Sequence, residues 1–435
     1  MLLLAILILA SFSCIGAASE IFVKPGNSIQ AAVDNSASGD VIIVKRGTYT
    51  DNIKIARDNL TIESESENPD DTIIKAKSPT AHAFLLQADN VKIKGFKISG
   101  AIKYSYAGIC LSSSSSCTIE NNKLLDNSFG IYLLNSKGNM ISKNFVSNNQ
   151  RGVYLNISEG NTLSRNTATA NREYGIALES SDGNTLSENT AFKNERGIFF
   201  GSSDGNKLTG NTVRSNNIFG LSICGRCDKD LIYNNYFNDT NISIKSGIGN
   251  TYNITKKMGV NIVSGPYIGG NYWAKPDGTG FSQTAVDKDE DGISDSAYTR
   301  ITGSIYSDHL PLVIPKVPVS IPPVADFRGY PKSGYPLLDV TFTDTSTEKP
   351  TAWKWNFGDG TYSTQQNPVH TYSEAGNYTV TLTAGNTVGS STITKANYIN
   401  ATVAQVPVAN FWGTPRSGNE SLNVAFTDTS IGSPR

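Results

Sequence analysis

The chain has 435 residues, with 37 Lys and Arg against 38 Asp and Glu, and only 17% of it is charged. So nearly neutral a chain, rich in Asn, Ser, Thr, Gly and Tyr, lacks the basic surface that nucleic acid or an anionic membrane would need, and neither is expected as a partner. Its length leaves room for more than one domain.

Residues 1–18 form an apolar run ending in Gly16-Ala17-Ala18, which reads as a secretory signal peptide cut before Ser19. It is too short for a stable membrane span, so no membrane-spanning segment is expected in the mature chain. The run has no Lys or Arg, and Cys14 after Ser11-Phe12-Ser13 offers a lipid anchor as an alternative. Eight Asn-x-Ser/Thr sequons, at Asn59, Asn156, Asn238, Asn241, Asn253, Asn377, Asn400 and Asn419, fit an exported chain. An extracellular or cell-surface location is expected.

From Ser19 the pattern is that of short strands broken by turns, with one helix predicted over 28–35, where Ile29, Ala32 and Val33 share a face. Such a helix can cover the open apolar end of a stacked structure. Val41 to Val44, Gly47 to Tyr49, Ile53 to Ile55, Leu60 to Ile62, Ile73-Ile74, Phe84 to Leu86, Val91 to Ile93 and Phe96 to Ile98 read as strands of irregular coils.

Regularity sets in at Gly108. Gly108, Gly130, Gly152, Gly175, Gly197 and Gly220 are spaced 22, 22, 23, 22 and 23 residues apart. Each is followed by an alternating apolar pair: Ile109/Leu111, Ile131/Leu133, Val153/Leu155, Ile176/Leu178, Ile198/Phe200 and Leu221/Ile223. A Gly-Asn turn then recurs at 138–139, 160–161, 183–184 and 205–206. A second apolar position follows at Ile119, Ile141, Leu163, Leu186 and Leu208, then an asparagine column at Asn122, Asn144, Asn166, Asn189, Asn211 and Asn234. A third strand ends at Asn127, Asn149, Asn171, Asn194 and Asn217. Three strands per repeat, each too short to pack alone, must stack coil on coil, and nothing has the 3.6 period of a helical solenoid. The fold class is therefore all-β: a single-stranded parallel β-helix over 19–264, with the asparagines building turns and bonding one rung to the next.

Ser28-Ile29-Gln30-Ala31-Ala32-Val33, Gly39-Asp40, Val44, Gly47-Thr48-Tyr49 and the Asn-rich repeats together resemble the pectin-lyase-like β-helices, and within them the NosD-like, carbohydrate-binding-and-hydrolase (CASH) repeat proteins common on archaeal cell surfaces. The resemblance covers roughly residues 19–312 and speaks to fold rather than activity.

Residues 265–312 close the solenoid. Tyr267-Ile268-Gly269-Gly270-Asn271-Tyr272-Trp273 and Asp308-His309-Leu310-Pro311-Leu312 resemble the ending of the same surface proteins. Between them Asp287-Lys288-Asp289-Glu290-Asp291-Gly292-Ile293-Ser294-Asp295 sets acidic residues at loop positions one, three, five and nine and glycine at six, which suits Ca²⁺. The expected ligands are Asp287, Asp289, Asp291, Ile293 through its carbonyl, and Asp295; a solvated acidic turn is the alternative. Tyr298 stands where an EF-hand would place its glutamate, leaving Asp308 as a further candidate ligand.

Residues 313–323 are a Pro-rich linker. Beyond it, 324–403 read as the short strands of an Ig-like β-sandwich. Trp355-Asn356-Phe357-Gly358-Asp359-Gly360 makes this segment very similar to a PKD domain, which implies a packed aromatic core, a Gly-Asp-Gly turn and a role as extracellular spacer or interaction module. Val408-Ala409-Asn410-Phe411 and Asp428-Thr429-Ser430 repeat Val324 to Phe327 and Asp344 to Ser346 at an offset of 84, so 404–435 read as a truncated second PKD domain, expected to be poorly ordered.

Of the cysteines past the signal, Cys110 and Cys224 are five coils apart, roughly 24 Å at about 4.8 Å per coil, which rules out a bridge between them. Any disulfide must be local, Cys110 with Cys117 and Cys224 with Cys227; free thiols, or metal or redox use of Cys-x-x-Cys, are the alternatives.

Three functions compete. The first is a polysaccharide lyase, hydrolase or epimerase, for which the weak catalytic candidates are Glu159, Asp182 and Asp204, stacked before successive turn glycines with Lys137 one coil earlier. The second is copper handling, implied by the NosD resemblance, against which stand only three histidines, His82, His309 and His370, and two methionines past the signal, Met140 and Met258. The third is a non-catalytic surface rod for adhesion or surface-layer structure, binding polysaccharide or another surface protein. Alternation turns Tyr132, Tyr154 and Phe199 outward as an aromatic stripe for sugar rings, a stripe that could equally be ladder stacking. The expected reading is the third.

Overall fold

The computed structural model describes residues 18–245, 247–299, 307–315, 322–403 and 408–430. The expected signal segment and much of the Pro-rich linker lie outside the described residues. The chain divides into two compact units, one ending at residue 319 and the other starting at 320.

The first unit is a coil-on-coil stack of parallel strands forming three sheets. Sheet A has ten strands, from Glu20–Val23 to Leu231–Tyr233; sheet B has ten, from Gly47–Asp51 to Tyr272–Ala274; sheet C has nine, from Ile53–Ile55 to Ser243–Ile244. Each strand pairs in register with its equivalent one coil on, so that Ile109, Ile131, Val153, Ile176, Ile198 and Leu221 form one column. Those side chains, with Ile119, Ile141, Leu163, Leu186 and Leu208 from sheet A and Leu124, Val146, Ala168, Ala191 and Val213 from sheet B, fill the interior without solvent contact. Helix α1 (Ile29–Asn35) covers the first coil with Ile29 and Val33, its N-terminus capped by the Ser28 hydroxyl, which accepts from the Ala31 N–H.

Asparagine ladders line the corners between sheets. Asn122, Asn144, Asn166, Asn189, Asn211, Asn235 and Asn271 form the first, each carboxamide oxygen accepting from the backbone N–H of the asparagine before it. Asn127, Asn149, Asn171, Asn194 and Asn216 form the second, and Asn139, Asn161, Asn184 and Asn206 begin the third. Thus Asn235 and Asn216, rather than Asn234 and Asn217, occupy the late rungs. The reason is backbone conformation: the residue ahead of each ladder asparagine takes the positive φ, as Asp126, Lys143, Arg165, Glu188 and Asn234 do, and the ladder residue itself points inward.

The ladders also explain the glycine column. A Cβ on Gly175 would lie 2.7 Å from both the Asn194 Nδ2 and the Gly197 carbonyl oxygen, so the position must stay bare for the ladder to pass. The alternation of faces breaks there. Phe129 pairs with Arg151 and Ile131 with Val153 in one unshifted register, while the glycine between faces the ladder and the residue ahead of it lies on the outer face.

The closing segment continues sheet B: Tyr272–Ala274 pairs with Tyr236–Asn238, and a short helix α2 (Phe281–Thr284) packs beside it.

The second unit holds a three-stranded sheet (Phe327–Tyr330, Leu338–Asp344, Val369–Tyr372) and a five-stranded sheet built on Gly376–Asn386 and Gly389–Ala401. Trp355 is fully buried between them against Phe327, Phe342 and Phe357. Asp359 turns the Gly-Asp-Gly loop by accepting from the Thr361 N–H and meets His370 Nε2 at 2.6 Å, a structural use. Past it, Phe411–Thr414 and Ala425–Asp428 pair as an antiparallel ribbon, with Phe411 and Phe426 exposed.

Candidate binding face on sheet C

The outer face of sheet C carries two adjacent columns. One, two residues after each repeat glycine, holds Cys110, Tyr132, Tyr154, Ala177, Phe199 and Ser222. The other, brought out by the break in alternation at the glycine, holds Ala107, Phe129, Arg151, Tyr174, Arg196 and Phe219. Tyr132 and Tyr154 stack on one another and on Phe129 with ring centroids 4.8 to 5.8 Å apart. Phe199 is separated from them by Ala177 and pairs instead with Tyr174 at 5.1 Å. The expected stripe is therefore interrupted, and Tyr174 bridges its two parts.

Cations sit on this aromatic surface. The Arg151 guanidinium lies over Phe129, Tyr154 and Tyr174 at 5.2, 4.8 and 5.9 Å, and Arg196 lies 5.4 Å from Tyr174. Arg151 Nε donates to Glu173 at 2.6 Å, and Gln150 Nε2 donates to the other oxygen at 2.7 Å. Burial works against the Glu173 charge, but these bonds win and hold its carboxyl below the usual range. Burial pushes the Tyr154 hydroxyl up to about 12. Glu179, whose carboxylate lies where a Cβ of Gly201 would reach it at 2.7 Å, has its carboxyl raised by burial, with Arg151 opposing. One half-buried patch thus combines aromatic faces, two guanidinium groups and a carboxyl that burial raises from its usual range.

Arg151, Glu173, Tyr174, Glu179 and Arg196 escaped the sequence reading, which followed only the positions after each glycine. Their signal was the residue ahead of the glycine, large or cationic at Phe129, Arg151, Tyr174, Arg196 and Phe219.

The catalytic candidates Glu159, Asp182 and Asp204 are not on this face. Glu159 and Asp182 line a shallow hollow at the following turn with Lys137, Asp204 follows one coil on, and two of the three are already used as turn acceptors: Asp182 Oδ1 takes the Asp204 N–H and Asp204 Oδ1 the Asp228 N–H, both at 2.8 Å. That is the bonding of a tight turn repeated coil by coil.

In the acidic loop, carboxylate oxygens of Asp287, Asp289 and Asp295 lie within 4.8 Å of one another. Asp291 does not join them: it forms an ion pair with Lys256 and accepts from the Ile293 N–H. Ile293 is buried beside Tyr272 and Leu312. Asp308 is remote in role as well, because it is fully buried and accepts from Asn271, from Leu310 and, at 2.8 Å, from the Trp273 indole N–H. Tyr298 packs on Phe281 and Trp273.

Cys110 and Cys117 are not brought together. Cys110 faces outward among Phe129, Leu85 and Tyr132, whereas Cys117 faces the core and accepts from the Val91 N–H. Alternation along the chain places them on opposite sides of the wall. Cys224 and Cys227, by contrast, lie with their sulfurs 2.7 Å apart.

Comparison with known proteins finds the family described as periplasmic copper-binding protein (NosD) matching residues 33–278, and the PKD domain matching 321–401. The chain is 35% identical over 134 residues to a cell surface glycoprotein of Methanothermus fervidus, a match taking in 29% of this chain and 21% of that protein. It is 43% identical over 63 residues to collagenase ColA of Bacillus cereus, 14% of this chain and 7% of the collagenase. The chain thus spans only about a fifth or less of these curated relatives. Among solved structures, pectate lyase Pel9A aligns with a TM-score of 0.39 at 15% identity over 53% of this chain and 76% of that one, and DFA-IIIase from Arthrobacter chlorophenolicus A6 with 0.45 at 16% over 53% and 75%.

The donors expected of a copper site do not assemble here. His82 accepts from the Ala107 N–H, His370 stacks on Phe357 in the other unit, and Met140 and Met258 are exposed on different coils. Among the described residues, the group of three or more His, Cys, Asp or Glu donors is the Asp287, Asp289 and Asp295 trio, whose hard oxygens suit Ca²⁺ rather than copper. No described helix is long and apolar enough to cross a membrane.

Proposed function

The chain belongs to the NosD family and carries a C-terminal PKD domain, and we propose that it works at the cell surface as a non-catalytic β-helix that binds polysaccharide along sheet C. The observation that carries this reading is the Arg151 guanidinium spread over Phe129, Tyr154 and Tyr174 with Arg196 beside them. Aromatic faces stack on sugar rings, and paired guanidinium groups favour a glycan bearing carboxylate or sulfate. Similarity to a cell surface glycoprotein and the eight sequons support the location. The Asp287, Asp289 and Asp295 cluster takes structural Ca²⁺, and the PKD domain serves as a spacer or a contact to another surface protein.

A second reading is polysaccharide cleavage, favoured by Glu179, whose carboxyl burial raises above the usual carboxylate range near Tyr154 and Arg151, the direction a general acid needs. One experiment separates them: binding of the purified chain to acidic and neutral polysaccharides, with unsaturated-product and reducing-end formation followed in the same wells. Binding without product, lost in Arg151→Ala, supports the adhesive reading. Product formation lost in Glu179→Gln supports the enzyme and overturns it.

A further inference from the structure

Beside the third asparagine ladder runs a ladder of serines. Ser136, Ser158, Ser181 and Ser203 each accept the backbone N–H of the preceding rung at 3.0 to 3.1 Å and donate their hydroxyl to the carbonyl two residues back at 2.8 to 2.9 Å. In the next coil the rung falls on Cys227, three residues ahead of Asp230 as Ser203 is ahead of Asn206. Here the turn is one residue longer: Cys224 follows the last strand residue, Ile223, its N–H donating to the Phe200 carbonyl at 3.1 Å, and Gly225-Arg226 separates it from Cys227. A thiol is a poor substitute for a hydroxyl in such a ladder, being a weak donor and a weak acceptor.

The two sulfurs are unlike. Cys224 is half-buried, and its Sγ accepts from the backbone N–H of Ser202 at 3.1 Å and of Arg226 at 3.3 Å, which leaves it the sulfur nearer solvent. Cys227 is buried, its Sγ against the Phe200 carbonyl at 3.3 Å, an acceptor that favours the thiol. Burial pushes the Cys227 thiol up to about 12. The sulfurs lie 2.7 Å from each other.

We propose that Cys224 and Cys227 are a dithiol–disulfide couple, with Cys224 the sulfur that exchanges with external disulfides and Cys227 the one that resolves. The Cys224 thiolate attacks a low-molecular-weight disulfide RSSR, forming Cys224–S–S–R and releasing RS⁻, which takes up a proton. Cys227 then gives up its proton and attacks the Cys224 sulfur, closing the intramolecular bond and releasing the second RS⁻. Overall two protein thiols and RSSR become one disulfide and two RSH, so the external disulfide is the oxidant. The product is a covalent rung where the serine ladder gives out.

The test uses the full chain equilibrated with oxidised glutathione, then denatured and alkylated without reductant, with each cysteine quantified by peptide mass. Labelling of Cys224 and Cys227 should fall by about tenfold or more relative to a reduced control while Cys110 and Cys117 stay labelled. Cys227→Ser should retain glutathione on Cys224, whereas folded Cys224→Ser should retain none on Cys227. Full labelling of all four after oxidation would overturn the proposal, as would glutathione retained equally on both single variants. A chain isolated with a thiophilic metal on the pair that blocks oxidation would overturn it too.

Discussion

Asn206 donates its backbone N–H to Oδ1 of Asp230 at 2.8 Å, the bond that the rungs above it make to asparagine. Elsewhere the side-chain amide also donates onward, as Asn139 Nδ2 does to Asn161 at 2.9 Å, but a carboxylate at 230 has no hydrogen to offer Asn250. Burial pushes the Asp230 carboxyl from 3.8 to about 7, so the folded chain holds its proton through a range in which the unfolded chain has lost it. Stability therefore falls as pH rises between those values, by roughly 1.4 kcal/mol per unit, and levels off above them. Asp230→Asn should leave the melting temperature unchanged at pH 4, raise it at pH 8 and remove most of this slope. A variant no more stable at pH 8 than the parent would contradict the assignment.

Ladder rungs should be intolerant of apolar replacement. Asn166 accepts from the Asn144 N–H and donates to the Ile141 carbonyl at 2.7 Å and to Asn189 at 2.9 Å, all out of water. Asn166→Leu orphans each of these at about 1–3 kcal/mol apiece, enough to unfold the β-helix unit or cut its stability by several kcal/mol in denaturant titrations. Gly175→Ala should be comparably damaging, since its Cβ meets the passing ladder, whereas Gly183→Ala, with nothing nearby but a positive φ, should cost only about 1 kcal/mol.

On sheet C, Arg151→Ala and Tyr174→Ala should each weaken polysaccharide binding by about 1–2 kcal/mol, or roughly five- to thirtyfold. Tyr174→Ala should melt near the parent and Arg151→Ala somewhat lower, because it strips Glu173 of its 2.6 Å partner, so binding is read well below both melts. Loss of binding that tracks loss of folding would count against a recognition role.

Calcium should raise the melting temperature of the parent and not of Asp289→Ala. Asp291→Ala should be less stable in chelator as well, because its carboxylate already engages Lys256 and the Ile293 N–H. Equal melting of parent and Asp289→Ala in calcium would show that the loop is only a turn.

The repeat, the inward columns and the PKD signature were legible because periodicity is a direct consequence of stacking. What stayed hidden depends on one backbone dihedral at a time. Asn234 and Asn235 are adjacent and identical in composition, and only the positive φ at the first tells which of them enters the ladder. Arg151 and Tyr174 reach the outer face only because the glycine after each breaks the alternation that the reading relied on. The role of Asp291 depended on Lys256, 35 residues away in sequence.

Two of the asparagine ladders end on aspartate, the first at Asp308 and the second at Asp239. A stack of in-register parallel coils is, seen end on, the geometry of an amyloid fibril, and each asparagine invites another above it. An ionised carboxylate receives a hydrogen bond and has none to pass on. At those two ends the amide-to-amide relay of the side chains therefore stops, although a backbone N–H can still carry a ladder onward, as that of Asp230 does to Asn250.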